Sequence, residues 1–80
     1  MDIKDAVALR IRELCGEKGI TVNALAYSAG ISPSTLFSML NDKSKNPGVV
    51  TIQKVCDGLD ITIAEFFRSP LFDDLEQVIR

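Results

Sequence analysis

Histidine and tryptophan are absent from this 80-residue chain, cysteine occurs only twice, and no apolar run approaches the ~20 residues a membrane span requires. Without histidine, the side chain whose ordinary pKa best suits proton transfer at neutral pH is missing, and so is the commonest nitrogen ligand for a metal. Neither serine nor cysteine stands beside an evident general base in a motif with a mechanism, and no glycine-rich phosphate loop appears. The expectation is therefore no enzyme, no catalytic residue, no metal and no cofactor. Cys15 and Cys56 lie far apart without a C-x-x-C pair, and both fall on apolar helical faces. They read as small buried hydrophobes, with a redox pair and a metal role as the lesser alternatives.

Secretion signals run from basic to apolar to small residues, and the opening MDIKDAVALRIREL instead mixes acids and bases through its apolar positions. A cytoplasmic protein with no membrane partner is expected. At this length only about 60% of the unfolded chain's surface is buried on folding, so one domain with a small core is the upper limit.

The net charge of −2 argues against a binder that works by bulk electrostatics. Its distribution is uneven. Residues 1–20 balance Lys4, Arg10, Arg12 and Lys18 against Asp2, Asp5, Glu13 and Glu17, and residues 21–55 set Lys43, Lys45 and Lys54 against Asp42 alone. Residues 56–80 are acidic, because Asp57, Asp60, Glu65, Asp73, Asp74 and Glu76 outnumber Arg68 and Arg80. Such a chain can offer one mildly basic face to a polyanion, although a solvated surface of mixed charge has the same composition.

What is abundant is helical periodicity. Ile3, Val7, Ile11, Leu14 and Cys15 recur three and four apart, with Arg10, Arg12, Glu13 and Glu17 mostly between them, and Gly19 can close that helix in the left-handed conformation. Thr21 can cap a second, short helix whose inward side is Leu25, Ala26 and Ala29, and Gly30 allows the positive φ of a turn before Ile31. Ser32 and Pro33 mark the start of a third helix. At 100° per residue, Leu36, Met39 and Leu40 share one side of it, Ser34, Ser38 and Asn41 lie opposite, and Phe37 sits at the border. Residues 42–48 read as an exposed loop.

Val49, Ile52, Val55, Cys56 and Leu59 mark a fourth helix ending near Gly58, and Ile61, Thr62, Glu65 and Phe66 have the spacing of a capping box with a hydrophobic staple. Ser69 and Pro70 repeat the cap-then-proline start, with Asp73 and Asp74 suited to a helix's positive end rather than to acid/base work. Leu71, Phe72, Leu75, Val78 and Ile79 supply the stripe of a short sixth helix. No strand pattern is present. The expected fold is all-α, with five helices in a domain at 1–68 and a C-terminal helix at 69–80.

Several residues together carry a resemblance: Leu25-Ala26, then Ala29-Gly30-Ile31-Ser32, then Ser34-Thr35-Leu36, the loop from Asn41 to Pro47, and the run from Thr51-Ile52 to Ile61-Thr62-Ile63-Ala64-Glu65-Phe66-Phe67. From about Ala6 to Phe67 the chain resembles the phage-repressor-like (Cro/cI, XRE) helix-turn-helix DNA-binding domains. That resemblance implies double-stranded DNA as partner, with the helix from about Ser32 to Asn41 in the major groove and the preceding helix across the backbone. It puts Ser34, Phe37, Ser38 and Asn41 on base edges, with Phe37 able to meet a thymine methyl. It puts Thr21, Val22, Asn23, Ser32, Lys43, Lys45 and Asn46 on the DNA backbone.

Val22 stands where the family often has glutamine, and the reading face offers serines where long bidentate side chains are common. Such a face reads sequence weakly by itself and would draw specificity from paired half-sites or DNA shape. The function implied is a sequence-specific transcriptional regulator, with a homodimer through the last helix. The alternative is a protein-interaction module, antitoxin-like or a regulatory partner, that keeps the fold and has lost strong base reading. Packing of the last helix on the first within one monomer is the equal alternative to dimerisation.

Overall fold

The computed structural model describes residues 1–41 and 46–79 of the chain. Within them five α-helices follow one another: α1 Ile3–Lys18, α2 Val22–Ala29, α3 Pro33–Asn41, α4 Val49–Leu59 and α5 Ile63–Phe67. No strand occurs among the described residues. The all-α, five-helix expectation is met.

Local chemistry fixes where these helices begin. The Asp2 carboxylate accepts from the Asp5 amide at 2.9 Å, Thr21 Oγ1 from Ala24 at 3.0 Å, and Ser32 Oγ from Thr35 at 3.2 Å. Each satisfies a first-turn donor that has no partner inside its own helix. Thr62 and Glu65 form the full reciprocal box: Thr62 Oγ1 accepts from the Glu65 amide and Glu65 Oε1 from the Thr62 amide, both at 3.0 Å.

The helix ends are as regular as the starts. Gly19, Gly30 and Asp60 adopt left-handed conformations with φ of 66°, 69° and 58°. In each case the next residue is isoleucine, whose amide reaches back five residues: Ile20 to Cys15 at 3.0 Å, Ile31 to Ala26 at 2.9 Å, and Ile61 to Cys56 at 3.0 Å. All three isoleucines pack on the core. A hydroxyl cap follows at once, so Gly19-Ile20-Thr21, Gly30-Ile31-Ser32 and Asp60-Ile61-Thr62 form the same three-residue joint. The last of these moves the stop of α4 from Gly58 to Asp60, a non-glycine residue in glycine's conformation.

Gly58 lies inside α4 and serves a different purpose. A Cβ built there would stand 3.0 Å from the Ala29 nitrogen and 3.1 Å from its Cα and Cβ. It marks the close approach of α2 and α4, whose mutual packing is the most extensive in the fold. The core itself is made of Val7, Ile11, Leu14, Leu25, Ala26, Leu36, Ile52, Val55, Leu59 and Phe66, with Cys15 and Cys56 among them. Two residues expected on inward stripes face out instead: Val49 is 79% exposed and Ile3 is 42% exposed.

The expected sixth helix is reduced to one 3-10 turn, Pro70–Phe72, and residues 73–79 are not helical. Ser69 does cap it, accepting from the Leu71 amide at 3.2 Å. The ladder then fails for two reasons. Phe72 turns inward against Phe67 and Phe66, with ring centroids 4.9 and 6.2 Å apart. The Glu76 amide, which would serve a helix by bonding Phe72, donates instead to the Met1 carbonyl at 3.1 Å. Val78 and Ile79 are left 84% and 87% exposed, so no apolar stripe forms.

Candidate nucleic-acid interface

The α2–α3 pair is held from within. Leu25, Ala26 and Leu36 have no exposed surface, Ala29 is buried, and Met39 and Leu40 pack partly on the core, so one face of α3 is fixed. Its other face is left to solvent. Ser34, Thr35 and Asn41 are exposed, Phe37 is 40% exposed, and Ser38 is half-buried beside Met39. Ser34, Thr35, Ser38 and Met39 line a shallow cleft on that face.

The four residues expected on base edges therefore share one helix, in unequal states. Ser34 stands at 3.4 Å from Ser32 Oγ within a hydroxyl cluster. Phe37 shows part of its ring. Ser38 is lodged deeper than its position opposite Leu36 suggests. Asn41 is engaged: its Oδ1 accepts from Arg12 Nη2 of α1 at 2.9 Å.

Of the residues expected on the backbone, Thr21 and Asn23 are exposed and Val22 packs partly on the core. The Thr21 hydroxyl is occupied by its capping bond, whereas the Val22 and Asn23 amides lie in the first turn of α2, where no intrahelical acceptor exists. The Ser32 hydroxyl is fully used at the start of α3. It accepts from the Thr35 amide and bonds Thr35 Oγ1 at 2.7 Å, which makes it a cap before it is anything else. Asn46 is exposed. Lys43 and Lys45 lie outside the described residues.

Two arginines of α1 were not singled out by periodicity. Arg10 is buried, and its side chain closes the far end of α5. Nε donates to the Phe66 carbonyl at 2.7 Å, Nη2 to the Glu65 carbonyl at 2.9 Å and the Arg68 carbonyl at 3.5 Å, and Nη1 pairs with the Glu13 carboxylate. Its signal was present in the sequence. Arg10 follows Val7 by three and precedes Leu14 by four, so it lies on the buried stripe, and a buried guanidinium must find acceptors. Arg12, 200° further around the helix, carried no comparable signal.

Elsewhere the chemistry is quiet. Burial raises the thiol pKa of Cys15 and of Cys56, which keeps both protonated, and no group of histidine, cysteine or carboxylate side chains able to hold a metal occurs among the described residues. The Glu65 carboxyl titrates below its ordinary range because of the Thr62 backbone amide, then the Thr62 side chain. No helix among the described residues is long and apolar enough to cross a membrane.

A short capped helix, a left-handed glycine turn and a second helix anchored on one side and polar on the other define a helix-turn-helix unit. The model of the Cro/C1-type HTH DNA-binding domain matches residues 10–70, and the chain belongs to that family. Among solved structures it is similar to prophage Lp1 protein 11, at 33% identity over 94% of this chain and 100% of that one, with a TM-score of 0.81. It also shares the fold of the wild-type restriction-modification controller protein C.Esp1396I, at 23% identity over 80% and 81% of the two chains and a TM-score of 0.73. No curated protein matches it.

Proposed function

We propose that this protein is a sequence-specific DNA-binding transcriptional regulator that reads the major groove with α3. The observation that carries the reading is the two-sided character of α3, with Leu36 fully buried and Ser34, Thr35 and Phe37 left open on a helix that follows a capped partner. Membership of a DNA-binding family supports it, as does likeness to a protein named as a controller. Ser34 and Ser38 would meet base edges, Phe37 a thymine methyl, and the amides of Val22 and Asn23 a phosphate. Thr21, Ser32, Lys43, Lys45 and Asn46 would complete the contacts to the backbone.

Serine makes one directed hydrogen bond where arginine or glutamine makes two, so each contact is worth less than the ~1–3 kcal/mol of a bidentate pair. A two-fold pair of chains would set two α3 helices about one DNA turn, ~34 Å, apart and double that small sum. The segment beyond Phe72 is our candidate for the pairing element, because Val78 and Ile79 stand in water after Glu76 is tied to Met1. A chain ending at Glu76 keeps that tie. Its sedimentation as a monomer where the full chain is a dimer would support this role, and a dimer that persists would refute it.

Selection of bound duplexes from a random pool tests the main reading. A recurring half-site that changes with Ser38→Ala is the expected result. Retention of DNA with no preferred sequence would remove the reading role of α3. No retention at low salt would favour the interaction module in its place.

A further inference from the structure

We propose that Arg12, on the first helix, contacts the DNA backbone, and that Asn41 holds its guanidinium in place for that contact. This rests on the reading that α3 enters the major groove. The two side chains come from elements 29 positions apart, and both are exposed, yet Arg12 Nη2 lies 2.9 Å from Asn41 Oδ1. The bond has consequences for each partner.

For Asn41 it occupies one of the two lone pairs of Oδ1. Reading adenine through its major-groove edge requires an amide oxygen for N6 and an amide nitrogen for N7 at once. With Oδ1 already accepting from Arg12, Asn41 keeps one lone pair there beside the two donors of its Nδ2, and its amide is no longer free to turn to an adenine edge without giving up that bond. For Arg12 the bond orients the planar guanidinium while its partner, a neutral amide, cancels none of its charge. The pair thus presents a full positive charge and mostly donors at the end of α3. Phosphate, an acceptor-only anion, matches that set. The acceptor-only edge of guanine, O6 and N7, matches it as well, and phosphate is assigned because Arg12 stands on α1, outside the α3 face that would meet the bases.

The placement also assigns the two arginines of α1 to opposite tasks. Arg10 turns to the carbonyls at the end of α5 and is used up there. Arg12 turns to the end of the helix whose outer face is open. A protein with a net charge of −2 has few cations to spare, and this arrangement delivers one from outside the helix pair to its edge.

The test is the salt dependence of binding to duplex DNA by the full chain, comparing the wild type with Arg12→Gln and Asn41→Ala, and with Arg68→Gln as a control cation on the surface beside α5. For each chain bound, Arg12→Gln is expected to reduce the slope of log K against log salt by about 0.9, the value of one phosphate on B-DNA, and to weaken binding about 8-fold at 0.1 M salt relative to a 1 M reference. The selected sequence should not change. Asn41→Ala should weaken binding in the same direction, and Arg68→Gln should leave the slope alone. A wild-type slope in Arg12→Gln, at an unchanged melting temperature, overturns the assignment, and so does a changed base preference in that variant. If the wild type itself binds no duplex, the regulator reading falls and takes this assignment with it, an outcome distinct from either of the others.

Discussion

Replacing Arg10 with methionine should unfold far more of this protein's stability than any surface charge could. α5 is only five residues long, so most of its carbonyls are beyond the reach of its own amides. Arg10 supplies two of them with close donors, at 2.7 and 2.9 Å, while itself 9% exposed. Hydrogen bonds to a charged group contribute about 1.5–3 kcal/mol each. Methionine keeps the apolar stem and removes the cost of holding a charge out of water, which offsets part of the loss. A net destabilisation of about 2–4 kcal/mol is expected.

Against a total of roughly 4–12 kcal/mol for a domain of this size, that is a large fraction. It corresponds to a fall in melting temperature of roughly 10–30 °C. Urea unfolding followed by circular dichroism measures it directly, with Glu13→Ala as the control. Glu13 is an exposed partner of the same guanidinium, and its loss should cost no more than about 1 kcal/mol. Arg10→Lys, with the charge kept and the fork lost, should fall between the two. If Arg10→Met costs no more than Glu13→Ala, the tie between α1 and α5 carries no weight and the reasoning is wrong.

Gly58→Ala should destabilise by about 1 kcal/mol despite the better helix former, because a Cβ wedged against Ala29 outweighs the ~1 kcal/mol of propensity gained; a rise in the urea midpoint would contradict the close contact. Asp60→Gly should stabilise by about 0.5–1 kcal/mol by relieving the left-handed strain, seen as a higher melting temperature. The carboxyl of Glu65 has a lower pKa folded than unfolded, so its stabilising share is complete above the unfolded pKa and lost as pH falls through the folded one. Glu65→Gln retains an acceptor for the Thr62 amide but not the charge, so its acid unfolding curve should be shallower and its stability near pH 7 slightly lower. Cys15 and Cys56 should alkylate only as fast as the protein unfolds, and rapid labelling of either would place it outside the core.

What the sequence made legible was what short-range chemistry decides. Thr21, Ser32 and Thr62 each act within three residues along the chain, and Gly19 and Gly30 act at their own backbone, so three helix starts and two of the stops could be read locally. Gly58 and Arg10 depend on partners far along the chain. Gly58 was read as a terminator when its need for space comes from Ala29 on another helix. Arg10 finds its acceptors 55 to 58 positions along the chain, which no periodicity reveals.

The tail failed for the opposite reason. Ser69 and Pro70 gave true local signals, but the Met1 carbonyl and the rings of Phe66 and Phe67 recruited the groups a helix would have needed. On the candidate interface, spacing puts Ser34, Ser38 and Asn41 on one side of α3, where Ser34 and Asn41 are exposed and Ser38 is half-buried. Spacing does not show the capture of Asn41 by Arg12, since it depends on how α1 is set beside the end of α3.

The three matching joints have a mechanical meaning. Each is a left-handed residue, a half-buried isoleucine bonded five residues back and a hydroxyl cap, with no residue to spare between one helix and the next. A hinge needs slack, and these have none. The angle between α2 and α3 is therefore built in rather than adjusted on contact. On the proposed reading, a groove of the wrong width would have to be met by bending the DNA or, in a pair of chains, by shifting one chain against the other.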